Sequence, residues 1–322
     1  MTTERGSPPT RRVVNVLNLL AEDPGRALTL TAIAAQAAIA PATCLGILNE
    51  LAQAGYVVRH PDRTYSLGGA LVSVGAAARD SRAGVSRARI ELRALGEELG
   101  RLCTASSVIG DEIVVLDVAG PVTEESPLVR IGSRFPFLAP VGLVNAAWHS
   151  DGVITRWLER APVELSAAKL ARLRAVIAAA RHQGYMVERL TNVEASLHRI
   201  LPMTFANSGS DATRRALAEA LLIFADRDYL TGELEHPKTS SVSVICAPCF
   251  DADGRPELVL GVYVMEVKVS IAAVRRTATR LRAACDAVTR SIGGRDPFRG
   301  TDAVTRTSTA VLRSRRANRQ GE

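Results

Sequence analysis

Cys246 and Cys249, in CAPC, have the spacing of a redox dithiol or of half a zinc site. A reactive dithiol needs its first sulfur at a helix start, where amide dipoles hold the thiolate. This pair instead lies in SVSVICAPCF, a β-branched run that ends at the turn residues DADG. Alternation along a strand sends residues three apart to opposite faces, so the two thiols read as buried packing groups. The five His (His60, His149, His182, His198, His236) show no HExxH or other ligand spacing. Neither a nucleophile elbow nor a phosphate-binding loop is present. No enzymatic activity, cofactor or metal is expected.

A second group is suited to contact rather than reaction. In LTAIAAQAAIAPATCLGILNELAQAGYV, Leu30 to Val57, the residues Cys44, Ile47, Leu48 and Leu51 recur at i, i+3, i+4 and i+7. They form one apolar stripe that would hold a helix down. The opposite face then offers Pro41, Ala42, Thr43, Leu45, Gly46 and Asn49. Thr43 suits a phosphate or a thymine methyl, Asn49 a phosphate, and Leu45 an apolar contact with a base. None is basic. Positive charge lies nearby instead, at Arg11 and Arg12 and at Arg59, His60 and Arg63. Two readings stay open on these residues: a double-stranded DNA reader, or an Ala-rich helical hairpin used for packing.

The elements that would position this face follow from pattern. RRVVNVLNLLAED places Val13, Val14, Leu17, Leu20 and Ala21 at helical spacing. Thr29 can cap a second helix, and Ala38-Ile39-Ala40 is a short turn. Pro41 suits the first position of a third helix, which Gly55 ends. YVVRHPDRTYSLG reads as a hairpin around HPDR. Three helices and a hairpin are the plan of a winged helix-turn-helix. Beyond it come a linker helix and then a mixed pattern. Strands are expected at TASSVIG, IVVLDVAG, LVRIGS and GYMVERL, and helices near 141–149, 152–160 and 165–183. Residues 207–240 read as an insertion with a helix around 211–225. SVSVICAPCF and ELVLGVYVMEV form a hairpin, and a long helix near 270–291 closes the domain. This is an α+β sheet domain.

At 322 residues the chain has room for two domains. The net charge of +7 suggests a polyanionic partner. Seven Arg against three acids between Arg295 and Glu322 supply +4 of it, however, so the folded part is less basic than the total implies. No apolar run approaches the roughly 18–20 residues of a membrane span. An odd number of irregularly spaced Cys reads as reduced thiols, and a cytoplasmic location is expected.

The residues VVNVLNLLAEDPGRALTLTAIAAQAAIAPATCLGILNELAQAGYVVRHPDRTYSLGGALVSVG, then GDEIVVLDVAG, RHQGYMVERL and ICAPCFDADGR, resemble the isocitrate-lyase-regulator (IclR-type) family of bacterial transcription factors. The resemblance runs from Arg11 to about Ser291. Its most specific part is the signature Leu48, Leu51, Gly55, Tyr56, Val57, Arg59, Asp62, Tyr65, Leu67 and Gly68. It implies a flexible arm at 1–10, a winged helix-turn-helix at 11–67 and a linker helix at 68–83. A GAF-like effector-binding and oligomerisation domain at 84–292 and a disordered basic tail at 293–322 complete the chain. It also implies operator DNA, a second copy of the chain (a homodimer, or a dimer of dimers) and a small-molecule effector as partners. The DNA contacts would come from Arg11, Arg12, Thr29, Pro41, Ala42, Thr43, Leu45, Gly46, Asn49, Arg59, His60 and Arg63.

In that family polar groups hold the effector at three places, a hydroxyl-bearing loop, a carboxylate after the GY strand and the last hairpin, and most of that set is absent here. The first loop reads Ala139-Pro140-Val141-Gly142, without a hydroxyl. Glu188-Arg189 follows the GY strand, and the last hairpin offers Val244, Cys246, Gly261 and Tyr263. An apolar or aromatic effector is therefore expected, with Trp148 and Tyr263 as walls and Arg189 pairing a carboxylate head. The resemblance implies a repressor governed by such an effector. The alternatives are a ligand-independent architectural regulator with a degenerate pocket and, less well supported, an enzyme on the GAF-like half.

Overall fold

The structure is a computed structural model and describes residues 7–23, 25–122, 129–161, 164–189 and 239–299. The N-terminal unit holds α1 (Pro8–Glu22), β1 (Leu28–Thr29), α2 (Leu30–Gln36), α3 (Pro41–Gln53), β2 (Val57–Arg59) and β3 (Thr64–Leu67). Pro8 and Pro9 fall in the first turn of α1, where their missing amides are not needed. Helix therefore begins inside the stretch expected to be an arm through residue 10. The buried side of α1 is set by Val16 and Leu20, while Val14 is exposed. These two pack with Ile33, Cys44, Leu48, Leu51, Val57 and Tyr65 into one small core.

Two backbone features close this unit. Gly55 has φ +72°, the left-handed conformation that ends α3. Gly68 lies so close that a Cβ there would sit 2.1 Å from the Gly55 carbonyl oxygen. The Gly68 amide donates to the Tyr56 carbonyl at 2.8 Å. The spaced glycines of the GYV…LG signature are thus the join between the third helix and the end of the hairpin.

The connecting helix α4 (Ala70–Asp80) is shorter than the expected 68–83 and has no buried residue. It leads into α5 (Ala83–Leu99) and a six-stranded sheet ordered β6-β5-β4-β9-β8-β7. The strands are β4 (Cys103–Ile109), β5 (Glu112–Ala119), β6 (Arg134–Pro136), β7 (Met186–Glu188), β8 (Thr239–Phe250) and β9 (Pro256–Ser270). All its pairings are antiparallel. One face packs on α5 and on the closing helix α9 (Ile271–Ser291) through Val85, Leu92, Leu95, Leu260 and Leu281. The other face carries α6 (Leu143–Ala146), α7 (Asp151–Glu159) and α8 (Ala167–Gln183), packed through Leu143, Trp148, Trp157 and Ile177. The α+β architecture and its antiparallel sheet follow the sequence reading.

Several expectations are corrected here. Within LVRIGS, residues 129–133 turn rather than run as a strand: the Ser133 amide donates back to the Arg130 carbonyl at 2.9 Å, Gly132 and Ser133 exchange backbone hydrogen bonds with Val115 of β5, and the strand itself starts only at Arg134. The helix expected near 141–149 is a single turn, α6. The tail expected to be disordered from residue 293 is anchored as far as Arg299. Phe298 packs on Phe250 with ring centroids 5.8 Å apart, the Arg181 guanidinium lies over it at 4.9 Å, and Arg299 pairs with Asp286. An apolar ring in the basic run supplies the burial that sequence polarity hid. The expected helix around 211–225, most of the 207–240 insertion, His198, His236 and the tail beyond 299 lie outside the described residues.

Candidate nucleic-acid interface and ligand cleft

Helices α2 and α3 cross at 112°. That matches the roughly 90–120° of a helix-turn-helix. Thr29 caps α2 by accepting from the Ala32 amide at 3.2 Å. Ala38 takes φ +53° between the two helices, and the Ile39 amide donates to the Ala34 carbonyl at 2.9 Å. With Cys44, Leu48 and Leu51 buried, Pro41, Ala42, Thr43, Leu45, Gly46 and Asn49 are left on the exposed side of α3. The same spacing that makes the core makes this face. These six residues are uncharged and the exposed Glu50 beside them is acidic, so cationic contacts must come from elsewhere.

Arg11, Arg12, Arg59 and Arg63 are exposed, while His60 is half-buried. The hairpin tip is held locally. Asp62 accepts from the Thr64 amide at 3.1 Å and from its hydroxyl at 2.7 Å, which lowers the Asp62 pKa. His60 Nε2 lies 2.8 Å from the Ser66 hydroxyl, across the hairpin. Arg63 sits at φ +65°, so the tip turns sharply and carries Arg63 at its end. Cations thus stand on a stiff wing beside a helix face that has none.

Residues 9–61 match the family model of the IclR helix-turn-helix domain. The N-terminal unit is an IclR-type helix-turn-helix domain. The described chain as a whole shares its fold with IclR-type regulators. An IclR transcriptional regulator from Alicyclobacillus acidocaldarius superposes with a TM-score of 0.63 at 21% identity, covering 89% of this chain and 100% of that one. HmgR of Pseudomonas aeruginosa gives 0.60 at 21%, covering 89% and 100%. An IclR homolog from Microbacterium hydrocarbonoxydans, complexed with 4-hydroxybenzoate, gives 0.59 at 18%, covering 88% and 98%. No curated protein sequence matches the chain.

The second half of this IclR-type fold has a cleft between the sheet and the one-turn α6. Its floor crosses five strands through Thr104, Ser106, Val115, Val259, Gly261, Tyr263, Val244, Cys246 and Glu188, and Phe135, Val141 and Asn145 rise along its side. Its volume, as room for the centres of water-sized spheres, is about 90 Å³. One water takes roughly 10–15 Å³ on that measure, so a compact ligand of about six to nine heavy atoms fits. Register explains the grouping: Cys246 pairs with Gly261, Gly261 with Thr104, and Val244 with both Tyr263 and Glu188. A Cβ on Gly261 would meet the Thr104 hydroxyl at 3.2 Å and the Cys246 sulfur at 3.4 Å, so this glycine deepens the floor.

Of the effector residues expected from sequence, Val141, Glu188, Val244, Cys246, Gly261 and Tyr263 line this cleft; Pro140, Trp148 and Arg189 do not. Trp148 is 2% exposed, and its indole N–H donates to the Val144 carbonyl at 2.8 Å. It is a core residue, not a wall. Pro140 follows a cis peptide bond in the loop before α6, and Val141 and Gly142 take the lining positions. Arg189 lies one residue past Glu188, beyond the end of β7, and is not among the lining residues. Sequence reasoning missed Thr104, Ser106 and Asn145. Asn145 Nδ2 donates to the Ser106 hydroxyl at 3.2 Å. The cleft is therefore more polar than expected. The i, i+2 alternation of Thr104 and Ser106 was the available signal.

Burial and the nearby Glu188 charge raise the Cys246 thiol pKa well above its ordinary value, and burial alone raises Cys103 to about 12. Cys249 lies in the opposite core, with Cys285. The CAPC sulfurs thus face opposite sides of the sheet. Among the described residues no group of three or more His, Cys, Asp or Glu side chains could hold a metal ion.

Proposed function

We propose that this protein is a cytoplasmic DNA-binding transcriptional regulator of IclR type, a repressor, that works as a homodimer or a dimer of dimers. A small molecule in the C-terminal cleft alters its grip on operator DNA. The observation that carries this reading is the domain over residues 9–61: a helix-turn-helix whose third helix leaves an uncapped, exposed face flanked by wing arginines. Contacts to DNA are assigned to Thr29, Pro41, Ala42, Thr43, Leu45, Gly46 and Asn49 for fit, and to Arg11, Arg12, Arg59, His60 and Arg63 for charge.

The open cleft favours a ligand-responsive regulator over an architectural protein with a degenerate pocket. The relative complexed with 4-hydroxybenzoate has the same fold and gives a precedent for a small aromatic ligand. Among the described residues the Ser106 hydroxyl accepts from the Asn145 amide, a contact that orients and does not activate, and binding rather than turnover is assigned. The test is an electrophoretic shift assay with the intergenic DNA upstream of its own gene, against random DNA of equal length. A retarded complex that survives random competitor is expected. Equal and weak retention of both DNAs sinks the proposal.

A further inference from the structure

The exposed face of α3 holds a residue that the fold does not need, and what it implies deepens the regulator reading on which it rests. Gly46 sits in the middle of α3 (Pro41–Gln53), on the side away from the core. Glycine inside a helix costs stability relative to alanine, because its backbone has more freedom to lose. Packing within the chain does not account for it: a Cβ at Gly46 would meet nothing within 4 Å among the described residues. At Gly68, by contrast, a Cβ would collide with a carbonyl oxygen 2.1 Å away. An internal helix glycine with open space around it is explained by close approach of a body outside the chain.

Ala42, Leu45, Gly46 and Asn49 recur at i, i+3, i+4 and i+7, so they form one line along the helix, with Thr43 beside it. The first turns of a recognition helix are the part that meets base edges. Those turns carry Ala42, Thr43 and Leu45, and Leu45 is 39% exposed. Guanine is read in the major groove by Arg or Lys, and α3 contains neither. What it presents there is methyl groups and one hydroxyl. The base feature of the major groove that matches a methyl group is the 5-methyl of thymine. We infer that α3 selects its half-site through thymine methyl groups packed against Ala42, Thr43 and Leu45, with Gly46 as the point where the helix backbone comes closest to the bases. Asn49 and Glu50 stand a further turn along. The wing arginines supply affinity that is blind to sequence, and the apolar helix face supplies the choice of site.

The test takes the full chain through selection from two random duplex libraries, one copied with thymine and one with uracil, which lacks only the 5-methyl group. A half-site rich in T·A pairs should be enriched from the thymine library and should not emerge from the uracil library. Within the selected site, changing one contacted thymine to uracil should weaken binding about fourfold, the worth of one buried methyl. Leu45→Ala should bring that ratio close to one at the thymine it covers. Gly46→Ala should leave Tm equal or higher, since the helix gains, yet weaken binding to the selected site at least about fivefold, because the new methyl holds the helix off the bases. The two libraries on the unaltered protein decide the matter even where a variant does not fold. The same site from both libraries, a selected site of G·C pairs alone, or full affinity in Gly46→Ala overturns the inference and leaves the regulator reading standing. No enrichment from the thymine library removes that reading as well.

Discussion

Arg59 and Arg63 are exposed on a wing whose neighbouring helix carries no cation, so they should dominate affinity without dictating sequence. Arg59→Ala combined with Arg63→Ala is expected to weaken operator and random DNA alike. It should flatten the salt dependence of log K by up to about two units. Arg63 already sits at φ +65°, and alanine carries the same Cβ, so the change adds no backbone strain. Lost preference with unchanged general affinity would contradict this, and filter binding across a salt series reads it directly. A second residue-scale expectation concerns His149, which lies 5.8 Å from the Phe137 ring and whose pKa is lowered by burial. Its neutral form is favoured in the folded state. The associated stability is therefore present above about pH 6.5, the usual histidine value, and is lost as pH falls through the lower folded value. Urea unfolding from pH 7.5 down to 5 should show this decline, and His149→Phe should reduce its slope. At this scale the sequence was informative where one periodicity fixes both burial and exposure, as on α3. It misled at Trp148, because no local pattern tells a core indole from a pocket wall. It was silent on Asn145, whose place depends on a one-turn helix meeting a distant strand.

The joint between α4 and α5 is the element that links the two halves. Arg82, between them, reaches Glu257 at the start of β9 and the Ser107 hydroxyl on β4, both at 3.4 Å. Ser107 neighbours Ser106, which lines the cleft and holds Asn145. A small crevice bordered by Ser106, Asn145 and Glu257 makes the connection continuous. A ligand that moves α6 would therefore press on the strand positions that hold the joint. Both partners of the ion pair are partly exposed, at 32% and 26% of their side chains, so its contribution to stability should be under about 1 kcal/mol. Arg82→Ala is expected to leave Tm and ligand-free DNA affinity nearly unchanged while shrinking the change in DNA affinity on adding ligand. Full retention of that change would show that the joint does not carry it. Legibility at this scale followed hydrophobic contrast. The β8–β9 hairpin and α9 have long apolar runs or stripes and were read near their true ends. β6 has three residues and was misplaced into LVRIGS, since the run LVRI looks like a strand while a turn hydrogen bond, invisible in composition, decides the matter.

Across the whole molecule the unresolved demand is the bare surface of α4. Val72 is 73% exposed and Val74 50%, and no residue of this helix is buried within one chain. An eleven-residue helix rich in Ala and Val would gain little by facing water. Covering it with its own copy satisfies that surface in a two-fold arrangement, in which one patch meets itself. The helix offers Leu71, Val72, Val74, Gly75 and Ala78 as apolar or small residues, and the exposure of Val72, Val74, Gly75 and Ala78 agrees with a face kept for a partner. A dimer joined next to the winged domains presents two α3 helices to DNA at once. The operator should then be a near-palindrome with half-sites about one helical turn apart, ~34–36 Å, or a multiple of that. Val72→Glu with Val74→Glu would place four like charges in the joined surface and should drive the protein toward monomer in sedimentation. Because each winged domain keeps its own core, the monomer should stay folded by circular dichroism yet lose most of its operator affinity, the second half-site no longer being held in register. Footprints should shrink in parallel from two protected half-sites to weak, salt-sensitive protection. A double variant that remains dimeric, or a natural footprint with a single unrepeated half-site, would place the contact between copies somewhere other than α4.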